Sequence, residues 1–167
     1  MTAAAGAQPI EVFIADYRNA AHATALVGLL DAYAGDPAGG GTPLDPAVLA
    51  GLPSALAARP QAFSVLAYDG GQPVGLINCI EGFSTFACKP LVNVHDVVVL
   101  PSHRGQRVAQ KMFSLVEEEA RRRGACKLTL EVLSGNAPAL RAYEREGFAG
   151  YQLDPAFGTA VFLQKKL

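Results

Sequence analysis

Two hydrophobic periods alternate along the chain. After a short alanine-rich start, expected to be mobile, IEVFIADY has the polar–apolar alternation of a strand, with Val12 and Ile14 on one face. Asn19 then offers an N-cap to AAHATALVGLLDAYA, where Leu26, Leu29, Leu30 and Tyr33 recur at helical spacing. GDPAGGGTPLDP breaks that pattern and reads as an exposed loop. PAVLAGLPSALAARP is helical again, interrupted by Pro53, so two short helices and one kinked helix both fit it.

The period then shortens to two. AFSVLAYDGGQPVGLINCI holds two apolar runs around Asp69-Gly70-Gly71, the signature of an antiparallel hairpin. EGFSTFACKPLV reads as a loop, and VNVHDVVVLP as a central strand buried on both faces and ended by Pro101. Val108, Met112, Leu115, Val116 and Ala120 mark one helix face, with Gly124 as its C-cap. CKLTLEV returns to alternation, so strand, helix and strand form a βαβ unit with a parallel strand pair. Asn136 caps a short helix, APALRAYERE, ended by Gly147, and AGYQL and TAVFLQKKL read as a last antiparallel pair. The expected α/β fold is a mixed, mostly antiparallel sheet with helices on both faces, in one domain over residues 1–167.

Composition narrows the function. A formal net charge of -1 leaves no basic surface for nucleic acid, and the one dense basic run, Arg121-Arg122-Arg123, complements a helix C-terminus. Three scattered cysteines, Cys79, Cys88 and Cys126, offer no zinc or redox pair and read as packing residues of a reduced, cytoplasmic protein. No apolar run is long enough to span a membrane, and no metal set is evident. His22 and His103 read as surface histidines, and Asp31, Asp36 and Asp45 as a solvated face or a lure for a cationic substrate.

RGQRVA, residues 104–109, stands between the strand VNVHDVVVLP and a helix, where unpaired backbone amides and the helix dipole favour an anion. It is neither a G-x-x-x-x-G-K-[ST] nor a G-x-G-x-x-G loop, which argues against ATP and NAD. HDVVVLPSHRGQRVAQKMF instead resembles the acetyl-CoA pyrophosphate loop of the GNAT N-acetyltransferase superfamily, [QR]-x-x-G-x-[GA], with Arg107 in place of the central glycine. NAPALRAYEREGF resembles that family's downstream signature, and the likeness covers roughly residues 63 to 150. Within the family, GFSTFACKPLVNVHDVVVLPSHRGQ looks most like the diamine and polyamine branch, with His95-Asp96 where that branch has Glu-Asp.

The resemblance implies the GNAT fold with a splayed parallel strand pair, and acetyl-CoA as the acyl donor. It implies cofactor contacts from the Val97 and Val99 backbone, from Arg104, Gly105, Gln106, Arg107, Val108 and Ala109, and from Asn136, with Tyr143 as general acid on the CoA sulfur. A helical Arg107 would point its Cβ away from the loop interior. His95 and Asp96, expected on opposite faces by alternation, are candidates for the amine proton, each with a structural role as the alternative. Ser84, Thr85 and Phe86 either shape the acceptor pocket or form an ordinary loop.

The expected activity is direct transfer of acetyl to a small-molecule amine in a ternary complex. Protein or peptide amines, and a non-catalytic acyl-CoA-binding module, are the alternatives. The strand VFLQKKL could pair two copies into a homodimer at a sheet edge, as the resemblance also implies.

Overall fold

The computed structural model describes residues 9–167, and the alanine-rich start lies outside them. Five strands form one sheet in the order β1 (Glu11–Ile14), β2 (Ala62–Asp69), β3 (Gln72–Ser84), β4 (Lys89–Val99) and β5 (Leu128–Leu130). Neighbours are antiparallel except β4 and β5, which run parallel. Four helices pack on the faces: α1 (Ala20–Gly35), α2 (Pro46–Ala57), α3 (Val108–Arg122) and α4 (Ala137–Arg145). The segment around Pro53 is one helix.

The period-two pattern sorts the strand residues between two cores. Phe63, Val65 and Ala67 of β2, with Ile77 and Val94, pack against Val108, Met112, Phe113 and Val116 of α3. Their neighbours Leu66, Leu76 and Val98 pack on the other side against Ala25, Leu26 and Leu29 of α1. Gly75 permits the close approach of α3, since a Cβ there would lie 2.9 Å from the Met112 methyl.

Three expectations change. GFSTFACKP is not a loop: β3 runs to Ser84 and pairs with β4 through Gly82↔Leu91, Phe83↔Pro90 and Ser84↔Lys89. The turn between them carries Cys88 at φ 50 rather than a glycine, so the usual turn signal is missing. Nor is β4 buried on both faces, because β5 covers only part of its length; His95 is exposed and Val97 and Val99 are half-buried.

The last antiparallel pair also fails to form, apart from a single bridge between Gln152 and Thr159. Three residues of β5 give that segment little edge to extend, and Val161, Phe162 and Leu163 lie exposed.

Candidate active site

The parallel ladder between β4 and β5 is short. It joins Val92↔Leu128, Asn93↔Thr129 and Val94↔Leu130, after which β4 continues to Val99 paired only with β3. The splay begins where β4 holds an extra residue: Cys79 faces Val94 and Asn78 faces Asp96, leaving His95 between them. A bulge of this kind shifts the side-chain parity. Val94 lies in the core beneath α3, whereas Asp96 bonds to Asn78 on the α1 side, so strict alternation does not hold across this segment. Beyond the bulge, no strand pairs with the outer edge of β4 from Asp96 to Val99, and the Val99 carbonyl accepts a bond from Arg104 Nε at 3.2 Å.

Past the end of β4, residues 104–107 form an exposed turn into α3. Gly105 has φ 76 and Arg107 has φ 60 and ψ 20, so Arg107 is left-handed rather than helical and serves as the N-cap of α3 without a capping side-chain bond. That conformation is why a glycine suits this position, and an arginine here carries roughly 1 kcal/mol of strain. Among the described residues, none of the amides from Gly105 to Gln110 has an acceptor; the first intrahelical bond runs from the Lys111 amide to the Arg107 carbonyl at 3.1 Å. A Cβ built on Gly105 would meet nothing within 4 Å, so the positive φ and not a close contact is what favours glycine there. A row of unpaired amides at a helix N-terminus suits a pyrophosphate. The Arg104 guanidinium pairs with Asp36 at 3.6 Å, tying this turn to the loop after α1.

Tyr143 approaches from α4. Its ring meets Phe113 edge-on at 6.0 Å and Phe148 at 6.1 Å, and the burial this packing brings pushes its phenol up to about 12, with Tyr33 adding to the rise. Tyr33 is itself raised, first by burial and then by the carboxylates of Asp96 and Asp36. Tyr33 therefore stands within electrostatic reach of both Asp96 and Tyr143. Asn136 caps α4 through Oδ1, which accepts from the Ala139 amide at 3.2 Å, leaving its NH2 group without a partner among the described residues.

Asp96 is half-buried, and its Oδ2 accepts from Asn78 Nδ2 at 3.0 Å. His95 is exposed, and its side chain makes no hydrogen bond among the described residues. Earlier on the same strand, Asn93 Nδ2 donates to Thr129 Oγ1 at 3.1 Å and to Glu131 Oε1 at 3.2 Å, while its buried Oδ1 has no partner.

Other expected residues lie elsewhere. Ser84, Thr85 and Phe86 sit at the far end of the β3–β4 hairpin, seven residues from Asp96 by the pairing Ser84↔Lys89, or about 23 Å along the strand. Phe86 is fully exposed there. His22 and His103 are not free surface groups: His22 Nδ1 accepts from the Asp16 amide and its ring stacks on Phe13, and His103 bridges Ser102 and Asp69 at 2.8 and 3.1 Å. Asp31 accepts from the Leu44 amide and Asp45 caps α2.

Of the cysteines only Cys79 is a packing residue; Cys88 and Cys126 are exposed because they fall in a turn and a connection. Two hollows of about 380 and 300 Å³ involve neither Asp96, Tyr143 nor the 104–109 turn. Among the described residues no group of His, Cys, Asp or Glu is placed to hold a metal, and no helix is long and apolar enough to cross a membrane.

Sequence reasoning did not single out Tyr17, Ser64 or Asn78, and it noted Tyr33 only for its helical spacing. The one signal present was a polar residue, Asn78, inside the otherwise apolar strand run GLINCI.

Residues 26–148 match the sequence model of the Acetyltransferase (GNAT) family. Over 92 residues, 52% of this chain and 49% of the relative, the sequence is 39% identical to the streptothricin acetyltransferase of Streptomyces lavendulae. Over 83 residues, 50% of this chain and 54% of the relative, it is 34% identical to the aminoalkylphosphonate N-acetyltransferase of Salmonella typhimurium. These matches thus span about half the length of the curated relatives. The fold is similar to that of AAC(6')-Iy in complex with the bisubstrate analogue CoA-S-monomethyl-acetylneamine, with a TM-score of 0.76 at 15% identity over 96% of this chain and 100% of that one.

Proposed function

Because this chain belongs to the Acetyltransferase (GNAT) family, we propose that it transfers an acetyl group from acetyl-CoA to a primary amine of a small molecule, with both substrates bound together in the cleft beside β4. The observation that carries this reading is the end of the β4–β5 ladder at Val94, which leaves the edge of β4 beside Asp96 without a partner strand, ahead of a turn of unpaired amides. The relatives named for streptothricin and an aminoalkylphosphonate support a small amine as the acceptor.

The open row of amides from Gly105 to Gln110, with two arginines beside it, fits the pyrophosphate of CoA. In this reading Arg104, Gly105, Gln106, Arg107, Val108 and Ala109 hold that group, the Val97 and Val99 backbone pairs with the pantetheine amides, and the free NH2 of Asn136 bonds the same arm. Acetyl-CoA supplies the acetyl group as an activated thioester.

Asp96 attracts the cationic amine and takes its proton, directly or through water, so that the nitrogen lone pair is free to attack. His95, exposed on the same bulge, is the second candidate for that proton. Tyr143 donates its phenolic proton to the departing sulfur; held at about 12, the phenol is protonated throughout the neutral range. Transfer is direct: Cys79 is buried with its thiol pushed up by desolvation, and the exposed Cys88 and Cys126 lie toward the far end of β4 from Asp96.

A homodimer and a cytoplasmic location belong to the same reading, supported by the exposed apolar run Val161–Leu163 and by three free cysteines. Thiol release from acetyl-CoA, screened over small amines with and without a second amino group, tests the reading. Amine-dependent release that falls sharply in Asp96→Asn and Tyr143→Phe supports it. No release with any amine contradicts it.

A further inference from the structure

A line of side-chain hydrogen bonds, buried at its centre, crosses the sheet and ends on Asp96. Ser64, Asn78 and Asp96 lie directly opposite one another on β2, β3 and β4 through the pairs Ser64↔Asn78 and Asn78↔Asp96. The distances are 2.9 Å from Tyr17 Oη to Ser64 Oγ, 2.6 Å from Ser64 Oγ to Asn78 Oδ1, and 3.0 Å from Asn78 Nδ2 to Asp96 Oδ2. Ser64 is 0% exposed and Asn78 7%, between the apolar neighbours Leu66, Leu76 and Val98.

The chemistry fixes the direction of every bond in this line. An ionised carboxylate only accepts, so the Asn78 group facing Asp96 is its NH2 and the group facing Ser64 is its carbonyl oxygen. Ser64 therefore spends its single proton on Asn78, and the Tyr17 hydroxyl must donate to Ser64. All three donors point toward Asp96, and each polarises the next. An amide in the middle stops this from being a proton relay. What it does instead is hold: Asp96 Oδ2 is pinned, while Oδ1 has no partner among the described residues.

An apolar core at this level would avoid the desolvation cost that three polar side chains carry. Their convergence on one oxygen of the carboxylate beside the cleft is what a purely structural network would not require.

Resting on the reading above, we propose that Asn78 is a positioning residue for acetyl transfer: braced by Ser64 and Tyr17, it clamps one oxygen of Asp96 and leaves the other for the acceptor amine. The test measures kcat and both KM values for Asn78→Ala and Ser64→Ala, each in the native and the Asp96→Asn background.

The expected result for Asn78→Ala is a kcat lower by about tenfold with the KM for acetyl-CoA unchanged. Ser64→Ala, nearly isosteric and the safer fold, loses about threefold. Both losses vanish in the Asp96→Asn background, since a residue that acts only through Asp96 has nothing left to position. Equal fold-losses in the two backgrounds, or unchanged kcat in both single variants, overturn the proposal. If Asn78→Ala does not fold, the Ser64→Ala cycle decides alone. Full activity of Asp96→Asn would instead remove the parent reading of Asp96, and the proposal with it.

Discussion

Val94 and Asp96 stand two positions apart on one strand yet on opposite faces of the sheet, Val94 in the core under α3 and Asp96 bonded to Asn78 on the α1 side. The extra residue between them, His95, sits where β5 stops pairing. One bulge thus sets Asp96 on the α1 side at the point where the outer edge of β4 loses its partner strand. Asp96→Asn keeps an oxygen for the Asn78 amide and loses only the charge. It is expected to unfold at the same midpoint as the native protein while its kcat/KM for the amine falls about a hundredfold, read by thiol release.

Tyr143→Phe retains the edge-on contacts with Phe113 and Phe148, so its thermal midpoint should not change. Removing the acidic proton should lower kcat by about a hundredfold or more with acetyl-CoA affinity intact. Burial holds the native phenol at about 12, well above its ordinary value, so its ionisation causes no loss of rate as pH rises from 8 to 10. A pH–rate profile of the native enzyme checks this.

Asn136 separates two roles that one substitution would confuse. Asn136→Ala loses the cap on α4 at a cost of about 1 kcal/mol and also loses the NH2 group. Asn136→Ser keeps a capping oxygen, loses the NH2 and adds no charge. Stability within a few tenths of a kcal/mol of the native protein, with weaker acetyl-CoA binding in Asn136→Ser, measured by denaturant titration and calorimetry, is the expected outcome.

Arg107 occupies a left-handed position at φ 60, where glycine carries no Cβ penalty. Arg107→Gly should gain about 1 kcal/mol in stability, seen as a higher urea midpoint at unchanged slope. Loss of the charge should weaken acetyl-CoA binding at low salt, and the difference should shrink as salt is raised.

The elements with strong periodicity were legible: α1 with Asn19 as its cap, the hairpin at Gly70-Gly71, α3, and the parallel return on β5 all lie where the pattern puts them. The bulge was not. Nothing in NVHDVVV distinguishes a strand that alternates from one that inserts a residue, because the insertion answers to the pairing with β3 rather than to local preference. For the same reason Asn78 and Ser64, fourteen residues apart, could not be joined to Asp96 before the register was known. Nor could RGQRVA show whether Arg107 is helical or left-handed, since backbone handedness at a helix start is set by the turn before it and not by the residue itself.

The cleft and its turn stand or fall on donor binding. Calorimetric titration of the purified protein with acetyl-CoA, with ATP and NAD run beside it, measures this directly. One site per chain for acetyl-CoA, with neither nucleotide competing at equal concentration, is the predicted result. No heat with acetyl-CoA at millimolar concentration would contradict it, and would mean that the unpaired amides from Gly105 to Gln110 hold no pyrophosphate.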